Sequence, residues 1–290
     1  MSPLAGKTLA QAKINLFLKV LGKGIDGYHA IETLFLRLDV GDDVTVRVTD
    51  LGRAVDCEGL SGVPAEKNLA YRAAETYAAA AGWPRGFSIE ISKRIPAGAG
   101  LGGGSADAAA VLRILNRLSS DPLDDARLLD VARAVGSDVP FLASGATMAL
   151  AWGRGERMLA LPPLTKKPVI VAVPEFGVST ADAYARLDRG GAVPTGAHIV
   201  QLDGLTSWTA VAEASQNDFE AVVGADHPEI PRLISTFKLA GAQISRMTGT
   251  GSAVFAIFDS APLALPMMNS KVNLLTTLTS SSVVPVTVLD

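Results

Sequence analysis

Cysteine is nearly missing from this chain: Cys57 is the only one among 290 residues. No disulfide can form within the chain, and no thiolate cluster can hold a metal. Histidine is almost as sparse. His29, His198 and His227 are scattered, without the HExxH spacing of a zinc protease. A basic surplus is lacking too. The 26 Lys and Arg stand against 29 Asp and Glu with signs interspersed, which argues against a nucleic-acid or membrane-surface binder. No apolar run approaches membrane-spanning length. The opening "MSPLAGKTLAQAK" lacks the charged start and apolar stretch of a signal peptide. The expectation is a soluble cytoplasmic protein, with no nucleic acid and no membrane as partner. With 48% hydrophobic residues, the chain can build a large core, and its length suits two domains.

Glycine and alternating apolar residues are what the chain has instead. "KINLFLKV" has strand periodicity, with Ile14, Leu16, Leu18 and Val20 on one face and Lys13, Asn15, Phe17 and Lys19 on the other. A glycine-rich turn, "GKGIDGYH", follows, and "VTVRV" (44–48) alternates again. Asn68 as N-cap, alanine-rich 69–81, Gly82 and Pro84 punctuate a helix. Phe87, Ile89 and Ile91 mark another strand. Ser105 is placed to cap a helix with Val111, Ile114, Leu115 and Leu118 as its stripe. Asp121-Pro122 is expected to open a further helix that Gly136 closes. Later, "VIVAVP" (169–174) reads as a buried strand, 190–196 as a loop, and Pro228 to Ala240 as a helix ended by Gly241. "TGTGS" (248–252) separates two strand-like stretches, and the final "NLLTTLTSSSVVPVTVLD" carries no usable motif. Strands and helices come in groups rather than strict alternation, which predicts an α+β chain. A boundary near "LPPLTKKP" would divide it into 1–161 and 162–290.

The densest signal is "RIPAGAGLGGGSADAAAVL" (94–112), with Gly98, Gly100, Gly102, Gly103 and Gly104 inside seven residues. Glycines let backbone N–H groups approach a ligand and adopt positive φ. The start of the following helix adds unpaired donors and the positive end of its dipole. Anion binding, phosphate above all, is the reading; a tight strand-to-helix connection is the plainer one. GxGxxG at Gly98, Gly100 and Gly103 lacks the second strand that a dinucleotide fold requires. Gly104 stands where a P-loop needs lysine. A helix follows where a protein kinase would place a valine–lysine strand.

"IPAGAGLGGGSADAAAVL" resembles the phosphate-binding motif of the GHMP kinases: galactokinase, homoserine kinase, mevalonate kinase and relatives. "TGTGSAVFAIF" resembles their C-terminal glycine motif. "AKINLFLKVLGKGIDGYHAIETLF" and "GSDVPFL" narrow the likeness to members that act on a cytidyl diphosphate sugar alcohol in non-mevalonate isoprenoid precursor synthesis. The resemblance implies an N-terminal domain like ribosomal protein S5 domain 2 and a ferredoxin-like C-terminal domain, with the active site between them. It implies ATP-dependent phosphorylation of a 2-hydroxyl, with Mg²⁺ accompanying ATP. No metal ligand is identifiable in the sequence, although Ser105 supplies a hydroxyl. "AGAG" stands where some relatives begin with glycine alone.

Roles follow from that resemblance. Asp138 becomes the base that accepts the hydroxyl proton; by itself it reads equally well as the close of a turn. Lys13 becomes its partner, opposing its charge and stabilising the transferring phosphoryl; by itself it reads as a solvated strand lysine. Asn15 shares the face of Lys13 and is expected to reach the substrate. Tyr28 and His29 hold the cytosine, with Thr180 and Tyr184 on its other side. Phe35 is either an apolar pocket wall or plain core. Asn68, Lys93 and the stretch Pro96, Ala97, Gly98, Ala99, Gly100, Leu101, Gly102, Gly103, Gly104, Ser105 and Ala106 are expected at ATP. Another GHMP kinase, a fold-only regulator and a dinucleotide oxidoreductase are the alternatives, in falling order.

Overall fold

The computed structural model describes residues 4–25, 27–59, 64–189, 205–262 and 271–289. The loop expected at 190–196 lies outside them.

Two long strands lay down the first sheet: β1 (Ala5–Lys23) and β2 (His29–Thr49), antiparallel along nearly their whole length. β3 (Arg53–Cys57), β4 (Gly86–Ser92), β5 (Met148–Gly153) and β6 (Arg157–Leu161) extend it. β1 departs from the simple alternation read from its sequence. Register shifts between Gln11 and Lys13 and between Asn15 and Phe17 break the two-residue period. The strand is also covered on both faces, so Lys13, Asn15 and Lys19 are buried alongside Phe17.

Helix α1 (Leu69–Ala81) runs as the sequence prescribes. The Asn68 side chain accepts from the Ala70 N–H at 2.9 Å, and Gly82 turns out at φ 69°. α2 (Gly103–Leu118) buries ten residues and packs on β1 and β2. It starts two residues before Ser105, so Ser105 is not its cap. The chain turns at Gly102, whose φ is 73°, and a Cβ there would meet Lys13 carbons at 3.0 Å. α3 (Asp125–Val135) begins later than Asp121-Pro122 suggests, because Asp124 is the capping side chain, accepting from the Arg127 N–H at 2.8 Å. α4 (Val139–Ala143) is a short turn after Asp138.

The second sheet is antiparallel, in the order β10-β7-β9-β8: β7 (Pro168–Pro174), β8 (Ile244–Met247), β9 (Val254–Ile257) and β10 (Val272–Leu278). One face, with Val169, Val171, Phe255 and Ile257, joins the core of the first sheet. The other, with Ile170, Ala172, Val254 and Ala256, packs on α5 (Thr180–Arg189), α7 (Phe219–Asp226) and α8 (Glu229–Leu239). α6 (Trp208–Ala214) contributes Trp208 and Val211 to the first core. The motifless end of the chain supplies β10 and then β11 (Thr287–Leu289), which returns to pair with β1. No helix among the described residues is long and apolar enough to cross a membrane.

Candidate active site

A cleft of about 1090 Å³ opens between the glycine loop, the β1–β2 hairpin, Asp138 and α5. Every residue expected at ATP, substrate or catalysis lines it except Ala106. That side chain is 2% exposed and turned into the core, and its N–H is taken by the Gly102 carbonyl at 2.8 Å.

The glycine loop is seated on two neighbours, which explains its composition. Gly98 and Gly100 have φ of 68° and 81°. A Cβ on Gly100 would lie 2.2 Å from the Thr248 carbonyl oxygen, so only glycine fits. The loop carrying "TGTGS" braces it from behind, with the Ala253 N–H donating to Ala99 O at 3.1 Å. From below, the Lys13 N–H donates to Leu101 O at 3.0 Å. With a glycine as N-cap, no side chain caps α2, and the first N–H groups of an α-helix have no partner within it. Those donors and the dipole end face the cleft, a setting for phosphate.

Lys13 and Asp138 meet. They lie 125 positions apart (138 minus 13), and Lys13 Nζ is 3.2 Å from Asp138 Oδ2. The lysine side chain is 4% exposed and the aspartate 29%, so the carboxylate opens to the cleft while the ammonium is held beneath it. Nζ also donates to Asn15 Oδ1 at 2.9 Å and lies 5.5 Å from the centre of the Phe35 ring. Phe35 serves as both core and wall, being 1% exposed and stacked on Phe141 at 5.1 Å. Asp138 sits in the turn ahead of α4, and its side chain makes no capping bond there. Asn15 is committed within the protein. Its Oδ1 also accepts from Thr248 Oγ1 and the Gly249 N–H, and its Nδ2 donates to Thr33 Oγ1 at 2.8 Å. It ties Lys13 to the C-terminal glycine motif.

Lys93 sits between two buried carboxylates. Its Nζ bonds Asp42, which is fully buried, and Asp107 Oδ2 at 2.7 Å. Burial works to lower the lysine's pKa, but Asp107 and Asp42 outweigh it and leave the value above the ordinary one. Burial, helped by the Asp42 charge and opposed by Lys93, pushes the Asp107 carboxyl up to about 7. Asp42 also accepts from the Arg94 and Ile95 N–H groups, pinning the chain where it leaves β4 for the loop.

At the other end Tyr28 is 57% exposed, with the Arg154 guanidinium 3.6 Å from its ring centre. The His29 ring stacks on Tyr184 at 4.7 Å, and its Nε2 lies 2.6 Å from Asp188 Oδ1. Burial, then the Asp138 charge, pushes the Tyr184 phenol up to about 12. Thr180 Oγ1 is 3.2 Å from Thr250 Oγ1.

Sequence reasoning missed Asp42, Asp107, Arg154, Asp188 and Thr248. Asp188 was findable: it follows Tyr184 by four residues, as Tyr184 follows Thr180, the spacing of one helix face. Asp107 stood inside the quoted motif. Asp42 and Arg154 gave no local signal, because only the fold brings them to the cleft.

Residues 68–152 match the GHMP kinases N terminal domain and residues 202–272 match GHMP kinases C terminal. The 4-diphosphocytidyl-2-C-methyl-D-erythritol kinase of Pelotomaculum thermopropionicum is 40% identical over 86% of this chain and 88% of its own length. That of Geobacter sp. strain M21 is 39% identical over 87% and 89%. A crystal structure of 4-(cytidine 5'-diphospho)-2C-methyl-D-erythritol kinase superposes with a TM-score of 0.76 at 34% identity, covering 94% of this chain and 98% of the other. The homoserine kinase of Cytophaga hutchinsonii shares the fold, with a TM-score of 0.70 at 19% identity over 98% and 97%. With these relatives, and with Lys13 and Asp138 joined beneath a glycine loop braced by the second glycine motif, the chain belongs to the GHMP kinase family, and within it to the 4-diphosphocytidyl-2-C-methyl-D-erythritol kinases.

Proposed function

We propose that this chain transfers the γ-phosphoryl group of ATP to the 2-hydroxyl of 4-diphosphocytidyl-2-C-methyl-D-erythritol, in the cytoplasm, as a step of non-mevalonate isoprenoid precursor synthesis. The observation that carries the mechanism is the Lys13–Asp138 contact of 3.2 Å at the mouth of the helix that follows the glycine loop. The loop backbone and the α2 N-terminus hold the ATP phosphates. Asp138 accepts the proton of the attacking 2-hydroxyl as the oxygen–phosphorus bond forms and ADP leaves. Lys13, held by Asn15 at 2.9 Å, orients Asp138 and faces the charge that spreads over the phosphoryl oxygens. Lys93 and Asn68 line the nucleotide end; Tyr28, His29, Thr180 and Tyr184 hold the cytosine.

Magnesium fits as a companion of ATP rather than a resident of the protein. Among the described residues no group of three or more His, Cys, Asp or Glu could hold a metal, and magnesium is commonly bound by one or two protein oxygens plus substrate phosphates. The Ser105 hydroxyl and the Asp138 and Asp107 carboxylates are among the hard oxygens that line the cleft beside the loop. When bound, the ion neutralises phosphate charge.

Coupled ADP release with the cytidyl substrate, homoserine and mevalonate as separate acceptors tests the reading. Turnover confined to the cytidyl substrate supports it. Turnover of homoserine or mevalonate alone would replace it with another GHMP activity.

A further inference from the structure

The face of α5 that lines the cleft repeats every four residues: Thr180, Tyr184, Asp188. The last two grip one side chain. Tyr184 stacks on the His29 ring at 4.7 Å, which fixes the ring plane. Asp188 Oδ1 lies 2.6 Å from His29 Nε2, which fixes the ring's rotation within that plane. The other oxygen, Oδ2, accepts from Lys23 Nζ at 2.7 Å. Lys23 is the register partner of His29 across the β1–β2 hairpin, so one carboxylate takes hold of both strands.

We propose that Asp188 is a positioning residue that fixes which hydrogen-bonding edge His29 presents in the cleft, and thereby selects a base bearing an exocyclic amino group over one bearing a carbonyl in its place. This rests on the reading above that a cytidyl group occupies this end. The hydrogen bonds from Lys23 and His29 hold the Asp188 carboxyl below the usual carboxylate range. An ionised carboxylate accepts only, so Nε2 must carry the ring proton. In the neutral imidazole that leaves Nδ1 as a lone-pair acceptor. An acceptor pairs with the amino group of cytosine and repels the carbonyl that uracil carries at the same position. A polar group left facing the wrong partner in a desolvated site is costly, which turns a tautomer into discrimination.

Two measurements on the full chain test this, and the first needs no substrate. Two-bond ¹⁵N–¹H NMR of the free protein at pH 8 should show His29 as the Nε2–H tautomer in wild type. Asp188→Ala should show an averaged or altered pattern. An Nδ1–H tautomer in wild type, or an identical pattern in the variant, overturns the proposal. The second compares kcat/KM for the cytidyl substrate and its uridyl counterpart. Asp188→Ala should lose ~3–10-fold for the cytidyl substrate, mostly through KM, and shrink the cytidyl preference by a similar factor. Unchanged affinity for a non-hydrolysable ATP analogue shows that the variant is folded. A preference kept in such a variant overturns the proposal. Lys23→Met, which removes the carboxylate's other partner at a residue that also lines the cleft, should keep the preference; an equal loss there would reduce the contact to a hairpin fastening and overturn it. If wild type turns over neither substrate, the assignment of the cytidyl group fails while the NMR result still judges Asp188.

Discussion

At one end of the cleft, residues 97 to 104 are glycine, alanine and a leucine, and what they offer a ligand is main chain. At the other end Tyr28, His29, Tyr184 and Asp188 offer rings, a ring nitrogen and a carboxylate. A phosphate needs donors at short range from several directions, and backbone N–H groups supply them once side chains are removed. A base needs a flat apolar face and a particular order of donors and acceptors along its edge, which only side chains supply. The first end is rigid because other backbone lies directly behind it, as the 2.2 Å clearance at Gly100 shows. The second is assembled from a hairpin and a helix that, among the described residues, reach each other through side chains. At Gly100 the first end tolerates no added atom; the other tolerates loss of a side chain in proportion to what that side chain did.

The largest effect is expected where the two ends meet. Asp138→Asn keeps shape and removes the acceptor charge, so kcat should fall ~10²–10⁴-fold while the affinities for ATP analogue and substrate hold. Steady-state kinetics with separately measured binding checks this. Lys13→Ala should also cost rate, and the double variant should be little worse than the poorer single one, because the two act as a unit. Near-normal kcat in Asp138→Asn would leave positioning alone to explain transfer.

Next is the backbone end. Gly100→Val forces a side chain against the Thr248 carbonyl at a φ of 81°. ATP-analogue affinity should fall by more than ~100-fold, with a Tm loss corresponding to about 3 kcal/mol or more. Titration calorimetry and thermal melts would show it. Gly98→Ala is the companion, since at φ 68° nothing lies within 4 Å of the added Cβ, and only the backbone strain of about 1 kcal/mol should register. Equal losses for the two would mean that packing against the second glycine motif is not what holds the loop.

Third is the side-chain end. Tyr28→Ala should weaken substrate binding by about 1–3 kcal/mol and leave ATP-analogue affinity alone. A matching loss of both would erase the distinction between the two ends.

The last effect, on stability rather than on binding or rate, is a pH dependence beneath the nucleotide end. The Asp107 carboxyl is raised to about 7 in the fold, from an ordinary value of 3.8, by burial first. Between those values the folded chain keeps a proton that the unfolded chain has lost. Stability contributed by this group is therefore full below pH 4 and declines as pH rises toward 7. Asp107→Asn removes the decline, so its stability relative to wild type should improve by ~1–3 kcal/mol between pH 5 and pH 8. Denaturant melts at the two pH values measure it. A difference that stays flat would show that Lys93 keeps Asp107 ionised throughout.

What the sequence disclosed divides along the same line. α1 was legible from Asn68 to Gly82, since caps are local chemistry and the structure uses both. The glycine loop was legible because its requirement falls on consecutive residues. Lys13 was not legible without the family motif. Alternation assigned it to a solvated face, and bulges plus cover on both sides of β1 bury it. The start of α2 was misplaced because glycine, a poor helix former, is used there for close approach rather than propensity. Asp42 reaches Lys93 across 51 positions (93 minus 42), and a long-range partner leaves no trace in local pattern.

The return of β11 to the edge of β1 bears on how the chain comes together in time. Ala5 pairs with Leu289, and Gln11 bonds Ser280 Oγ at 2.9 Å and the Val284 N–H at 3.0 Å. During synthesis the strand that carries Lys13 is made long before β11, and its outer edge waits for that later strand to pair with it. Pairings of such separation are slow to form, and an uncovered strand edge invites wrong partners meanwhile. Removing residues 280–289 should therefore harm the yield of folded protein more than its small share of the mass suggests, and it should do so through a segment that lines no part of the cleft.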